Sequence, residues 1–214
     1  MKIYLGNVGK LSYIDICRTE GYGICYLANH WSYPKAGVSW FLDNGAFHCW
    51  KNEKPFDSKA FRESLWKVEK SCSYPDFIVC PDIVAGGLNS LSFSLRWLQE
   101  IPAGLPVYIA VQDGMKPDDI KRYISLFDGV FVGGTTGWKW RHLLEWVDFA
   151  HSNGLPCHVG RAGKYRDMLS ARTYGVDSID SSTVPQANRN GPFKQYDGFR
   201  RLDAVMKQSV LETC

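Results

Sequence analysis

The sequence predicts an α/β fold, a compact (β/α)8 TIM barrel, and three observations predict it. Eight short β-prone runs recur along the 214 residues. Each is nearly continuous in apolar residues rather than alternating, the pattern of strands covered on both faces. Segments with apolar residues at helical spacing separate them, so strand alternates with helix. An open, doubly wound sheet is the alternative arrangement of the same elements.

In order, the strands are KIYLGNV (2–8), GICYLA (23–28), SWFLDNG (39–45), DFIVCPD (76–82), PVYIAVQ (106–112), GVFVGG (129–134), LPCHVG (155–160) and VDSID (176–180). Among the helical segments, residues 58–72 carry Phe61, Leu65 and Val68 on one stripe, and residues 90–101, 117–127, 140–154 and 164–175 behave alike. Gly154 and Gly175 close two of them as C-terminal glycines do. Pro117, followed by Asp118 and Asp119, opens a third. Residues 29–37 read as a loop after the second strand, and residues 199–214 as a closing amphipathic helix. With no repeat, low-complexity stretch or linker, residues 1–214 read as a single domain.

Composition narrows the class. At 45% hydrophobic and 14% aromatic residues the chain is globular. No apolar run reaches the ~18 residues of a membrane span, and MKIYLGNVGK reads as a strand rather than a signal peptide. Seven cysteines, an odd number without a CxxC pair, imply reduced thiols in a cytoplasmic protein, not a disulfide framework or a zinc site. The net charge is +3, and its excess lies in residues 135–214, which hold 11 Lys and Arg against 8 Asp and Glu. That imbalance suits either random scatter or a modest basic surface for phosphates.

Barrel chemistry sits at the C-terminal ends of the strands. Those ends read Asp43-Asn44-Gly45, Asp82, Gln112-Asp113-Gly114, Gly133-Gly134-Thr135-Thr136, Gly160-Arg161 and Asp180-Ser181-Ser182. One such polar residue is ordinarily a turn former or helix cap. Their repetition around one mouth describes a convergent site instead. Two carboxylates flanking a carbon suit substitution at an anomeric centre, one attacking while the other handles the leaving group's proton. A further acid and an amide suit the edge of a heterocycle, accepting from its N–H groups and donating to its carbonyl.

The series DNGAF, PD, VQDG, VGGTTG, HVGRAG and GVDSIDSSTVPQANRNG resembles the queuine tRNA-ribosyltransferases, or tRNA-guanine transglycosylases. That family carries a DSGGF-type motif, an acid after the fourth strand, a VQG turn, a GG loop, an MGVG-type turn and a GVD-x-x-D-x-x-x-P-x-R-x-x-R-N-G stretch. The last match is the most specific, and the resemblance runs from about residue 40 to 192.

The resemblance implies a nucleophile at Asp180 and a general acid/base at Asp43. It implies that Asp82, Gln112, Gly133, Gly134 and Thr135 bind the base, and that Arg189 holds the nucleic-acid backbone. Arg161, Lys164, Lys139 and Arg141, with Arg166, are expected beside it on the loops after strands six and seven, with Trp31, Trp138, Trp140 or Tyr165 stacking on a flipped nucleotide. It implies no cofactor and no metal.

The family's C-terminal zinc subdomain has no counterpart. Thr135 and Thr136 replace the Leu-Ala of a GGLAVGE loop, and Asn44 and Ala46 vary DSGGF. So reduced, the chain resembles the short phage and bacterial relatives that insert 7-deazaguanines into DNA. The partners implied are DNA ahead of tRNA and a 7-deazaguanine of the preQ0 kind, without a membrane, in the cytoplasm (the host's, for a viral protein). Two other classes stay open: a phosphate-binding barrel acting on small metabolites, which leaves the three acids idle, and a non-catalytic nucleic-acid-binding subunit. Asp177 reads as structural, Asp113 has no assigned role, and His48, His142, His151 and His158 read as helical or strand residues with ordinary partners.

Overall fold

Lys2–Gly6 (β1) pairs in parallel with Gly23–Leu27 (β2), the first of eight such pairings in the computed structural model, which describes residues 1–6, 11–30, 34–71 and 73–182. Trp40–Asp43 (β3), Ile78–Val79 (β4), Val107–Val111 (β5), Gly129–Val132 (β6), Cys157–Val159 (β7) and Ser178–Ser181 (β8) follow in order. β8 pairs back onto β1, with Tyr4 opposite Asp180. The sheet is therefore a closed eight-stranded parallel barrel, which excludes the open doubly wound arrangement.

Helices Leu11–Glu20 (α1), Ala46–Lys51 (α2), Ser58–Glu69 (α3), Leu88–Leu98 (α4), Pro117–Ile120 (α5), Thr136–Ser152 (α6) and Tyr165–Thr173 (α7) lie between the strands. The 117–127 segment is one α-helical turn running into 3-10 helix over Lys121–Leu126. No α-helix joins β2 to β3 among the described residues, only a 3-10 turn at Ala28–His30, as the loop reading of 29–37 expected. Gly154 and Gly175 take φ of 70° and 77° beyond the ends of α6 and α7, the left-handed geometry that closes a helix. Phe61, Leu65 and Val68 form the buried stripe of α3. The 199–214 helix falls outside the described residues.

Pleating splits the core in two. Ile3, Leu5, Trp40, Leu42, Ile109, Val111, Val130, Val132, Val159 and Ile179 face outward into the helix layer. Their neighbours Tyr4, Phe41, Phe77, Tyr108 and Phe131 fill the barrel. Phe41 stacks on Phe77 at 4.4 Å and Phe77 on Tyr108 at 4.0 Å, so the lower barrel is solid. A side chain at Gly129 would collide with the Tyr108 ring, at 2.5 Å from its nearest carbons, which is why this strand begins with glycine. The same parity carries inward-facing positions up to the mouth: Phe41 leads to Asp43, Ala110 to Gln112, Phe131 to Gly133 and Ser178 to Asp180.

Candidate active site

Above the aromatic plug lies a small cleft whose apolar lining is Phe47, Val79, Val84 and Phe131. Asp43, Asn44, Asp82, Gln112, Gly133, Gly134 and Arg161 supply its polar edge. Six of the residues predicted from the sequence, Asp43, Asp82, Gln112, Gly133, Gly134 and Arg161, thus meet in one place.

Asp43 ends β3, and its Oδ1 accepts the Gly45 N–H at 2.7 Å, turning the chain directly into α2. Burial pushes its carboxyl up to about 6, against the Gly45 hydrogen bond, with the Asp180 charge adding and Arg161 opposing. Asp82 is 5% exposed and doubly held: Asn44 Nδ2 donates to Oδ1 at 2.6 Å and Gln112 Nε2 to Oδ2 at 2.5 Å. Neither amide can flip. Asn44 Oδ1 accepts the Ala46 N–H at 2.7 Å and Gln112 Oε1 the Ala85 N–H at 3.2 Å, which fixes oxygen and nitrogen in both. Burial still raises Asp82 to about 7, with the Asn44 hydrogen bond the largest opposing influence.

Arg161 crosses the mouth. Its backbone takes the left-handed φ of 59°, its guanidinium lies 3.7 Å over the Phe47 ring, and Nη2 donates to the Gly134 carbonyl. Burial lowers its pKa from the ordinary value, against the charges of Asp180, Asp43, Asp82 and Asp113. Asp180, 8% exposed, borders the cleft without lining it. Its Oδ1 accepts the Arg161 N–H at 3.0 Å and lies 3.1 Å from His158 Nε2, while its carbonyl accepts the Ala162 N–H at 2.9 Å.

The chain matches no protein-family model and no curated protein. Geometry and chemistry alone therefore describe this mouth.

Several expectations need correction. Lys139 lies inside α6, not on a loop, and is 1% exposed, its ammonium donating to the Gly160 carbonyl. So enclosed, it cannot reach a nucleic-acid backbone. Burial lowers it to about 7. Arg141 is exposed but also helical, its Nε donating to the Gly137 carbonyl at 3.0 Å. Lys164 and Arg166 are exposed at the start of α7. Thr135 does not line the cleft: its N–H and hydroxyl both donate to Asp113, at 2.7 and 2.5 Å, which gives Asp113 its role of fixing that loop. The Gly133 N–H is spent on the Val111 carbonyl at 3.0 Å, so it is not available to a base carbonyl. Trp138 is buried, and Trp140 and Tyr165 are half-buried. Arg189 and Trp31 lie outside the described residues.

Two site residues escaped sequence reasoning. Phe47 forms a cleft wall under Arg161. His158, wholly buried, contacts Asp180, and its position between outward-facing Cys157 and Val159 was the signal that it points into the barrel. Asp177 is structural as expected, accepting the Cys157 N–H at 2.7 Å and lying 2.9 Å from His151 Nε2. Cys17, Cys25, Cys49, Cys80 and Cys157 are buried free thiols. Among the described residues no cluster of His, Cys, Asp or Glu is placed to hold a metal ion, and no helix is long and apolar enough to cross a membrane.

Proposed function

We propose that the chain is a nucleic-acid guanine transglycosylase of the kind its motifs resemble, exchanging guanine for a 7-deazaguanine, in DNA ahead of tRNA. The observation that carries this reading is the contrast between two acids at one mouth. Asp43 sits near pH 6, poised to give and take a proton. Asp180 is held through one oxygen, which accepts the Arg161 N–H and lies 3.1 Å from His158 Nε2, as suits a carboxylate nucleophile.

The exchange balances over two steps. Asp180 attacks the sugar C1′, and the C1′–N9 electron pair leaves with guanine, which takes the proton of Asp43. The incoming base then gives its proton to Asp43 and attacks C1′, returning the ester electron pair to Asp180. Asp82 accepts from the N–H groups of the base through the lone pairs its two amides leave free. The second Nε2–H of Gln112 and the Gly134 N–H serve the base carbonyl. Phe47, held under the Arg161 guanidinium, supplies an apolar wall beside the base, in place of the tryptophans expected from the sequence. Exposed Arg141, Lys164 and Arg166, following β6 and β7, lie on the mouth side and suit phosphates. Four aspartates around Arg161 disfavour the alternative of a small phosphorylated metabolite held in the cleft itself.

Exchange of radiolabelled guanine into duplex DNA and bulk tRNA tests the reading, with wild type beside Asp180→Ala. Label in DNA that disappears in the variant supports it. Label in tRNA alone keeps the chemistry and moves the substrate. Label that survives Asp180→Ala removes the proposed nucleophile.

A further inference from the structure

The transglycosylase reading leaves His158 unused, yet it is a titratable group in contact with Asp180 and has 0% exposure. It faces inward from β7. Its ring stacks on Phe131 at 4.9 Å and 15°, with Phe41 at 5.1 Å and Phe77 at 5.2 Å against it. Packed on three sides, the ring cannot turn.

Its two nitrogens have different partners. Nδ1 lies 2.8 Å from Ser178 Oγ and Nε2 lies 3.1 Å from Asp180 Oδ1. A carboxylate only accepts, whereas a hydroxyl can donate or accept. A proton on Nδ1 alone would set the Nε2 lone pair against the Asp180 oxygen. The arrangement without that repulsion has hydrogen on Nε2, donated to Asp180, and Ser178 donating to Nδ1. Burial opposes a second ring proton, and Lys139 adds to that opposition while Asp180 works against it.

Asp180 Oδ1 therefore receives two donors, His158 Nε2–H and the Arg161 N–H at 3.0 Å. Among the described residues none donates to Oδ2. We propose that His158, as the neutral Nε2–H tautomer, is the positioning residue that pins Oδ1 of Asp180 and thereby makes Oδ2 the attacking atom. When the Oδ2 lone pair forms the bond to C1′, the C1′–N9 pair departs with the base. Oδ1 becomes the carbonyl oxygen of the glycosyl ester and keeps both hydrogen bonds, so no donor moves during the step. The activity arm of the test rests on the transglycosylase reading; the placement of the imidazole proton does not.

Nitrogen-15 NMR of the full chain labelled at histidine tests the placement without any substrate. At neutral pH, His158 is expected to show a protonated Nε2 and an unprotonated Nδ1, with the Nε2 resonance moving in Asp180→Ala. A proton on Nδ1 alone, or on both nitrogens, overturns the proposal. Single-turnover glycosyl-enzyme formation then compares His158→Phe, which keeps the stack but loses the donor, with His158→Gln, which restores an N–H toward Asp180. The expected result is a ~10–100-fold slower formation rate in His158→Phe with KM little changed, and recovery of most of that loss in His158→Gln. A wild-type rate in His158→Phe overturns the proposal, as does an equal loss in both variants when both melt as wild type does. If wild type forms no glycosyl-enzyme, the transglycosylase reading fails and the NMR result alone decides the placement. If His158→Phe does not fold, His158→Gln and the NMR result carry the test.

Discussion

Gln112 donates Nε2–H to Asp82 Oδ2 at 2.5 Å, and the Ala85 N–H at 3.2 Å from Gln112 Oε1 fixes which end of that amide faces the acid. Gln112→Glu would set a second carboxylate against a buried one. The variant is expected to lose roughly 3–5 kcal/mol of stability at pH 7.5, the usual cost of an uncompensated buried charge. The deficit should shrink at pH 5, where the pair can share a proton. Urea midpoints at the two pH values check both statements; an equal deficit at both would sink the charge argument.

Under the proposed transglycosylation, Asp43, raised to about 6, would set the pH dependence of the reaction. Departure of the first base needs the protonated acid, so glycosyl-enzyme formation should fall about tenfold per pH unit above ~6. Attack by the incoming base needs the ionised form and should fall below it. Asp82, raised to about 7, is needed ionised to accept from the base, so guanine KM should rise as pH drops through 7. Single-turnover rates from pH 5 to 8 with wild type and Asp43→Asn separate these effects. A formation limb centred near pH 4 would contradict the burial of Asp43.

Lys139 offers a test independent of activity. Its ammonium is lowered by burial from 10.5 to about 7, so between those values the unfolded chain binds the extra proton. Stability must then rise with pH across that window. Relative to Lys139→Met, which removes the titration but keeps a similar volume, wild type should gain up to about 2–3 kcal/mol between pH 7 and 9. Paired denaturation curves read this directly, and a constant difference would show that the ammonium is not desolvated.

Gly134 has φ of 72°, and a Cβ there would lie 2.6 Å from Asp113 Oδ2 and 2.7 Å from a Trp138 ring carbon. Gly134→Ala is expected to cost about 1–3 kcal/mol and to loosen the Asp113–Thr135 contact. Gly137→Ala is the control. It sits in the first turn of α6 with only Arg141 Nη2 at 4.0 Å, so it should be neutral or stabilise by ~0.5–1 kcal/mol. Similar melting temperatures for the two variants would remove the steric account.

The barrel was legible in the sequence because strands buried on both faces leave unbroken apolar runs, and all eight runs became strands. Length was less legible. β4 shrinks to Ile78–Val79 with Pro81 close behind, whose missing N–H cannot extend a ladder. α2 has six residues, too few to show a period, and α1 was hidden by a mixed stripe in which Ile14 and Cys17 are buried. The acids and amide of the mouth were legible because each follows an apolar strand. Which of their hydrogen bonds are already used was not: Gly133 lines the cleft and Thr135 lies just outside it, and both spend their donors inside the protein. Lys139 was not legible because a lysine is rarely enclosed, so its residue type points to the surface while the fold buries it.

The stacked rings of Phe41, Phe77 and Tyr108 also govern traffic. They close the barrel from below, so among the described residues the cleft has one door. Under the proposed chemistry, the departing base must clear that door before its replacement enters. Steady-state rates with both substrates varied should then give parallel double-reciprocal lines, and each free base should compete with the other for the same vacated space.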